Sequence, residues 1–209
     1  MEKFISDLTD QVGKMTLMDW VIIGLAVLCY IPIIWAVVTS RNPDGTKNGA
    51  GQNFYTFALW LILDFIQMVC TFLENGTYVQ FIAFIPCAVV ITILLLKHRK
   101  KINNFEIFIS IFIFICVVIW LTVGSKQAII FETICQVVAG FPLLRDTWAA
   151  PEKFTKTLVP LFGFMVLYIL ILCTIPEFSV EHALFPVALF VYTLISFIFV
   201  MRGLKLKTA

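Results

Sequence analysis

Residues 54–73 read Phe54-Tyr-Thr-Phe-Ala-Leu-Trp-Leu-Ile-Leu-Asp64-Phe-Ile-Gln-Met-Val-Cys-Thr-Phe-Leu73, with a single charged residue in the whole run. About 20 mostly apolar residues are what a helix needs to cross the hydrocarbon core of a bilayer. Within and beside this run, Asn53, Phe57, Trp60, Asp64, Gln67, Thr71 and Glu74 step by three or four positions. Residues so spaced share one helical face, so one side of the helix is polar from end to end. A charge at mid-membrane costs about 2.5–3.5 kcal/mol on insertion scales and therefore faces a cavity or a partner. Asp64 has two readings on these grounds. It lines a pathway, binding a polar solute or taking up a proton, or it locks neighbouring helices together through hydrogen bonds.

The rest of the chain agrees with a membrane setting. Of 209 residues, 61% are hydrophobic and 13% charged, against about 45–50% and 25% in soluble domains. Apolar runs give seven expected spans, at 20–39, 54–73, 78–96, 105–123, 128–147, 157–175 and 183–201. The fifth is interrupted by Glu132, Gln136, Arg145 and Asp146. Thr16 and Asp19 form a capping-box pattern at the start of the first. Upstream, Phe4, Ile5, Leu8, Val12 and Met15 recur at helical spacing opposite Asp7, Asp10 and Lys14, the pattern of a short helix lying on the membrane surface rather than of a cleaved signal peptide. All six cysteines fall in apolar runs without ligand spacing, so they read as small hydrophobes, and neither metal nor resident cofactor is expected. The expected organisation is an interfacial segment (1–19), a first three-helix unit (20–96), a linking helix with its loops (97–127), a second three-helix unit (128–201) and a tail (202–209).

Twelve Lys and Arg fall in the 1–2, 3–4 and 5–6 connectors and the C-terminal tail, and three fall on the other side. Positive residues stay in the cytosol, so the N-terminus is expected outside and the C-terminus inside a cell membrane. The chain also repeats itself. Tyr30-Ile-Pro32-Ile-Ile34 in span one is matched by Gly140-Phe-Pro142-Leu-Leu144 in span five. Ala83-Phe-Ile-Pro86 in span three is matched by Ala183-Leu-Phe-Pro186 in span seven, with Thr92 and Thr193 following. Phe54 and Phe154 open the regions leading to spans two and six. Two three-helix units joined by one linking helix lie parallel in the membrane, and Pro32, Pro86, Pro142 and Pro186 are candidate hinges because proline removes a backbone hydrogen bond.

This three-plus-one-plus-three pattern, with a proline late in the first helix of each unit, resembles the PQ-loop superfamily, which includes SWEET sugar transporters, lysosomal cystine and cationic amino-acid exporters and the KDEL receptor. The stretch Glu132-Thr-Ile-Cys-Gln-Val-Val-Ala-Gly-Phe-Pro-Leu-Leu-Arg-Asp-Thr-Trp148 is the part most similar to the family's second proline motif, with Ile33 and Leu143 standing where that motif has Gln. The resemblance implies an all-α integral membrane protein of seven transmembrane helices, built as two parallel three-helix bundles, that carries a sugar or amino-acid-like solute by alternating access.

Other residues fill out the candidate pathway. Glu132, Gln136 and Gly140 lie four apart on one face of span five, where Gln136 serves either as pore lining or as glue between helices. His182, Pro186, Thr193 and Ser196 make a thinner polar line in span seven, with His182 at the solvated surface. Tyr30, Trp60, Tyr168 and Tyr192 can stack on a solute, whereas Trp35 and Trp148 read as interfacial belt residues. Arg145 and Asp146 read as an interfacial pair, and Asn75-Gly76-Thr77 matches a glycosylation sequon in a very short loop. Two histidines near span ends, and no HExxH, GxSxG or paired intramembrane aspartates, argue against an enzyme. A net charge of +2 without a basic, aromatic-interleaved cluster argues against nucleic acid. The expected function is transport of a small polar solute through Asp64, Trp60, Gln67, Gln136, Tyr30 and Thr193, with Asp64 a candidate proton-coupling group. The alternative is a non-transporting receptor or scaffold of the same fold, and homo-oligomerisation is left open.

Overall fold

Thr16 starts the first long helix. Its hydroxyl accepts from the Asp19 N–H at 3.3 Å while its own N–H donates to the Asp19 carboxylate at 2.7 Å, the reciprocal capping box that satisfies two otherwise orphaned donors. The computed structural model describes residues 13–41, 49–73, 79–98, 101–123, 125–175 and 180–208. Most of the amphipathic N-terminal segment and the Asn75 sequon lie outside the described residues. Helices follow one another as α1 (Leu17–Thr39), α2 (Phe54–Leu73), α3 (Val79–Leu95), α4 (Asn104–Val123), α5 (Ser125–Ala139), α6 (Phe141–Ala149), α7 (Leu158–Cys173) and α8 (Val180–Thr208), with short 3-10 turns at Gly49–Gly51, Leu96–His98 and Pro151–Thr157. No strand forms among the described residues. Six of their helical stretches are long and apolar enough to cross a membrane, and α4 adds an apolar stretch at Asn104–Ile115.

Burial is inverted relative to a water-soluble protein. Thr56, Asp64, Gln67, Glu132 and Gln136 are buried, while Leu28, Trp35, Phe65, Phe114, Val159 and Ile198 face outward. An apolar solvent rewards this arrangement, because polar groups must then be answered inside the protein.

Packing links the helices in two similar sets. α3 packs against both α1 and α2, and α8 packs against both α5 and α7. Between the sets, α1 packs on α7 and α2 on α5, while α4 lies against α5. The main core joins Ile22, Ala26, Ile33 and Val37 of α1 to Phe81, Phe84 and Ile91 of α3 and to Phe164, Leu167 and Ile171 of α7. Those α1 positions step by four and seven, so one stripe of the helix is buried and the rest faces outward.

Two sequence expectations change. The fifth span, expected over 128–147 with polar interruptions, forms as an apolar stretch Gln127–Ala149 but is divided into two helices that meet at Gly140. Pro142 stands in the first turn of α6, where its missing N–H costs nothing. Pro32, Pro86 and Pro186 instead sit inside continuous helices. The seventh span, expected to end at 201 before a separate tail, continues helically to Thr208. Gly203 lets that extension dock: a Cβ there would lie 2.6 Å from the Pro151 carbonyl carbon. At Gly140 a Cβ would lie 2.4 Å from the Tyr192 ring, whose hydroxyl donates to the Gly140 carbonyl at 3.0 Å. Gly140→Ala should therefore destabilise the protein by about 1–3 kcal/mol through overpacking. In thermal unfolding in detergent, most of that loss should disappear when Tyr192→Ala is already present.

Candidate functional site

The polar stripe of α2 points inward. Asn53, Phe57, Asp64, Gln67 and Thr71 are buried and Trp60 is half-buried, whereas Ile62 and Phe65 on other faces are exposed. α5 runs antiparallel beside it and fixes the register. The Trp60 indole N–H donates to the Gln136 carbonyl at 2.8 Å, and the Gln136 side-chain amide donates to Asp64 Oδ1 at 2.7 Å. One turn further along, Glu132 lies beside Gln67. Beyond that, Ala128 and Ile129 pack on Cys70. Gln136, not Gln67, is thus the residue that answers Asp64.

Asp64 opens onto an internal cavity of about 90 Å³. Tyr30, Trp60, Asp64, Gln136 and Thr193 all line it, so five of the six candidates converge from α1, α2, α5 and α8. The cavity runs from Asp64 toward Gln52, Phe154 and Thr157, at the end of the bundle where α2 begins. Gln67 lines a separate, smaller cavity of about 20 Å³ toward the Thr71 end, together with Thr71, Gln80, His182 and Pro186. His182, expected at the solvated surface, is half-buried there. The fully buried Phe81 lines neither cavity and is in ring contact with Phe84, which lines the larger, and Phe185, which lines the smaller. None of the four candidate hinge prolines lines the larger cavity.

A second polar knot closes the Asn53 end. Asn53 Oδ1 accepts from the N–H groups of Tyr55 and Thr56, and its amide donates to Glu106 at 3.2 Å and Asp146 at 3.3 Å. Arg145 pairs with Asp146 at 3.0 Å, stands 3.9 Å from Glu106 and lies over the Phe105 ring. The Arg145–Asp146 pair therefore joins the first turns of α2 and α4 to α6, which spacing along the chain does not reveal. Trp148 is exposed and carries Arg202 on its ring face.

Glu132 is the residue whose setting the sequence conceals most. It is buried, and neither carboxyl oxygen has a hydrogen-bond partner; the buried Gln67 Oε1 lacks one as well. In an apolar interior such acceptors require a proton or a cation to answer them. Among the described residues, no group of His, Cys, Asp and Glu side chains could hold a metal ion. Comparison of the chain with family models, curated proteins and solved structures finds no match.

Two opposite stability effects follow from these settings. Gln136→Leu strands Asp64 and should cost about 1–3 kcal/mol, much of it recovered in the Asp64→Leu, Gln136→Leu double variant. Glu132→Leu removes an acid with no donor and should leave the melting temperature unchanged or raise it. Thermal unfolding of the purified variants checks both signs.

Proposed function

We propose that the chain is a small-solute transporter of the PQ-loop type, working by alternating access between two parallel three-helix units. The observation that carries this reading is the larger cavity, lined jointly by helices of both halves, with Asp64 in its wall. The packing supports the two-unit description. In each half the third helix packs against both others, and the cross-contacts α1 on α7 and α2 on α5 exchange first and second helices between halves. In this reading α4 is the link, and Asp64 belongs to one half only, because position 164 is Phe. The excess of Lys and Arg at the connectors of the Asn53 end puts that end in the cytosol of a cell membrane. The larger cavity then lies toward the cytosolic end and the smaller toward the outer end, as in an inward-facing state. Rocking the units would reverse the two.

Cysteine labelling checks the orientation: a probe at Asn75 should react from outside and one at Lys100 should not. Solute flux into proteoliposomes checks transport. Saturable uptake of at least one of choline, glucose or glycine is expected; binding without uptake would favour the receptor or scaffold reading. Asp64 is the coupling candidate, faced by Tyr30 of α1, Glu132 of α5 and Tyr168 of α7. Asp64→Asn should abolish the pH dependence of uptake. Uptake whose pH profile survives that change would leave Asp64 as a packing element.

A further inference from the structure

The polar groups lining the larger cavity are mostly engaged within the protein. Thr147, Thr157 and Ser196 donate to the carbonyls of Leu143, Phe154 and Tyr192 on their own helical turns. The Tyr192 hydroxyl is given to Gly140 and the Gln136 amide to Asp64. What stays available to a solute includes the second oxygen of Asp64, the Gln52 side-chain amide, the hydroxyls of Tyr30 and Tyr168, and Thr193. The remaining wall is largely aromatic. Trp60 and Tyr192 lie 5.6 Å apart at 82° and Tyr30 and Phe164 lie 5.0 Å apart at 80°, while Phe164 and Tyr168 stack at 22°. In a perpendicular pair, the ring that presents its edge is left uncovered on its faces by that neighbour. No Lys, Arg or His lines this cavity among the described residues.

These features discriminate between solute classes. A hexose needs a hydrogen-bond partner for each hydroxyl, and it would meet a largely aromatic wall on which Thr147, Thr157, Ser196 and Tyr192 already donate within the protein. A carboxylate would bring a second negative group to Asp64 with no cation to answer it. An alkylammonium group matches both parts of the wall: the carboxylate answers its charge, and aromatic rings stabilise a desolvated cation through their quadrupoles. We infer that the larger cavity takes a small organic cation, a protonated or quaternary amine, with Asp64 as its counter-ion and Trp60, Tyr192, Tyr30 and Tyr168 as its walls. The inference rests on the reading of this cavity as a solute site and narrows it.

Isothermal titration of the purified full-length chain in detergent tests it with four probes: choline, tetramethylammonium, the uncharged tert-butyl isostere of choline (dimethylbutanol) and glucose. At least one of the two cations should bind saturably, with the isostere weaker than choline by about tenfold or more and glucose weaker still. Asp64→Asn should weaken cation binding by about tenfold while leaving the weak binding of the isostere unchanged. The isostere comparison is made on the unaltered chain, so it stands even if that variant misfolds. Equal affinity for choline and its isostere overturns the inference, as does glucose binding without cation binding, which leaves the transport reading intact. If no probe binds and none enters proteoliposomes, the transport reading falls with it.

Discussion

The bond from the Gln136 amide to Asp64 Oδ1 holds the arrangement of this protein together. A carboxyl group in the middle of an apolar helix is tolerated only where the fold supplies a donor, and water cannot serve inside hydrocarbon. Once α5 provides that donor, α2 and α5 have a fixed register, and the Trp60 indole is drawn to the Gln136 carbonyl one turn away. The register in turn sets Glu132 beside Gln67 and leaves the free oxygen of Asp64 facing the cavity. Removing the bond would therefore loosen the seam between α2 and α5 as well as the local contact.

How far the sequence could be read depends on the range of the interaction. The polar stripe of α2 is a local pattern, a period of 3.6 within an apolar run, and Asn53, Asp64, Gln67 and Thr71 are buried as that period requires. The capping box at Thr16 is equally local. The partner of Asp64 is not: Gln136, 72 positions away, reaches it only once α2 and α5 are in register. Glu106, Asn53 and Asp146 meet across 53 and 93 positions, beyond the reach of any spacing rule. Proline was an ambiguous signal for the same reason. Four were read as hinges, yet only Pro142 coincides with a break, where Tyr192 crowds against Gly140. Lys205 and Lys207 read as a solvated tail, but lysine is a good helix former and α8 continues through both.

The two cavities share the stripe of α2 without sharing space. Asp64 lines one and Gln67, one turn on, lines the other. The buried, apolar Phe81 touches a ring that lines each, so the packing joins the two cavity walls without a hydrogen bond.

The two close approaches on α8 also have a mechanical consequence. Tyr192 is tied to Gly140, and Gly203 rests on the backbone of Pro151 and Glu152. These anchors are separated by eleven residues, about 16 Å along the axis, and three turns bring them back to nearly the same side of the helix. α8 is pinned at two points along one edge. It cannot slide or spin without tearing one of them, and Leu189, Ser196 and Thr193, on or beside that pinned edge, are thereby held in place along the wall of the larger cavity.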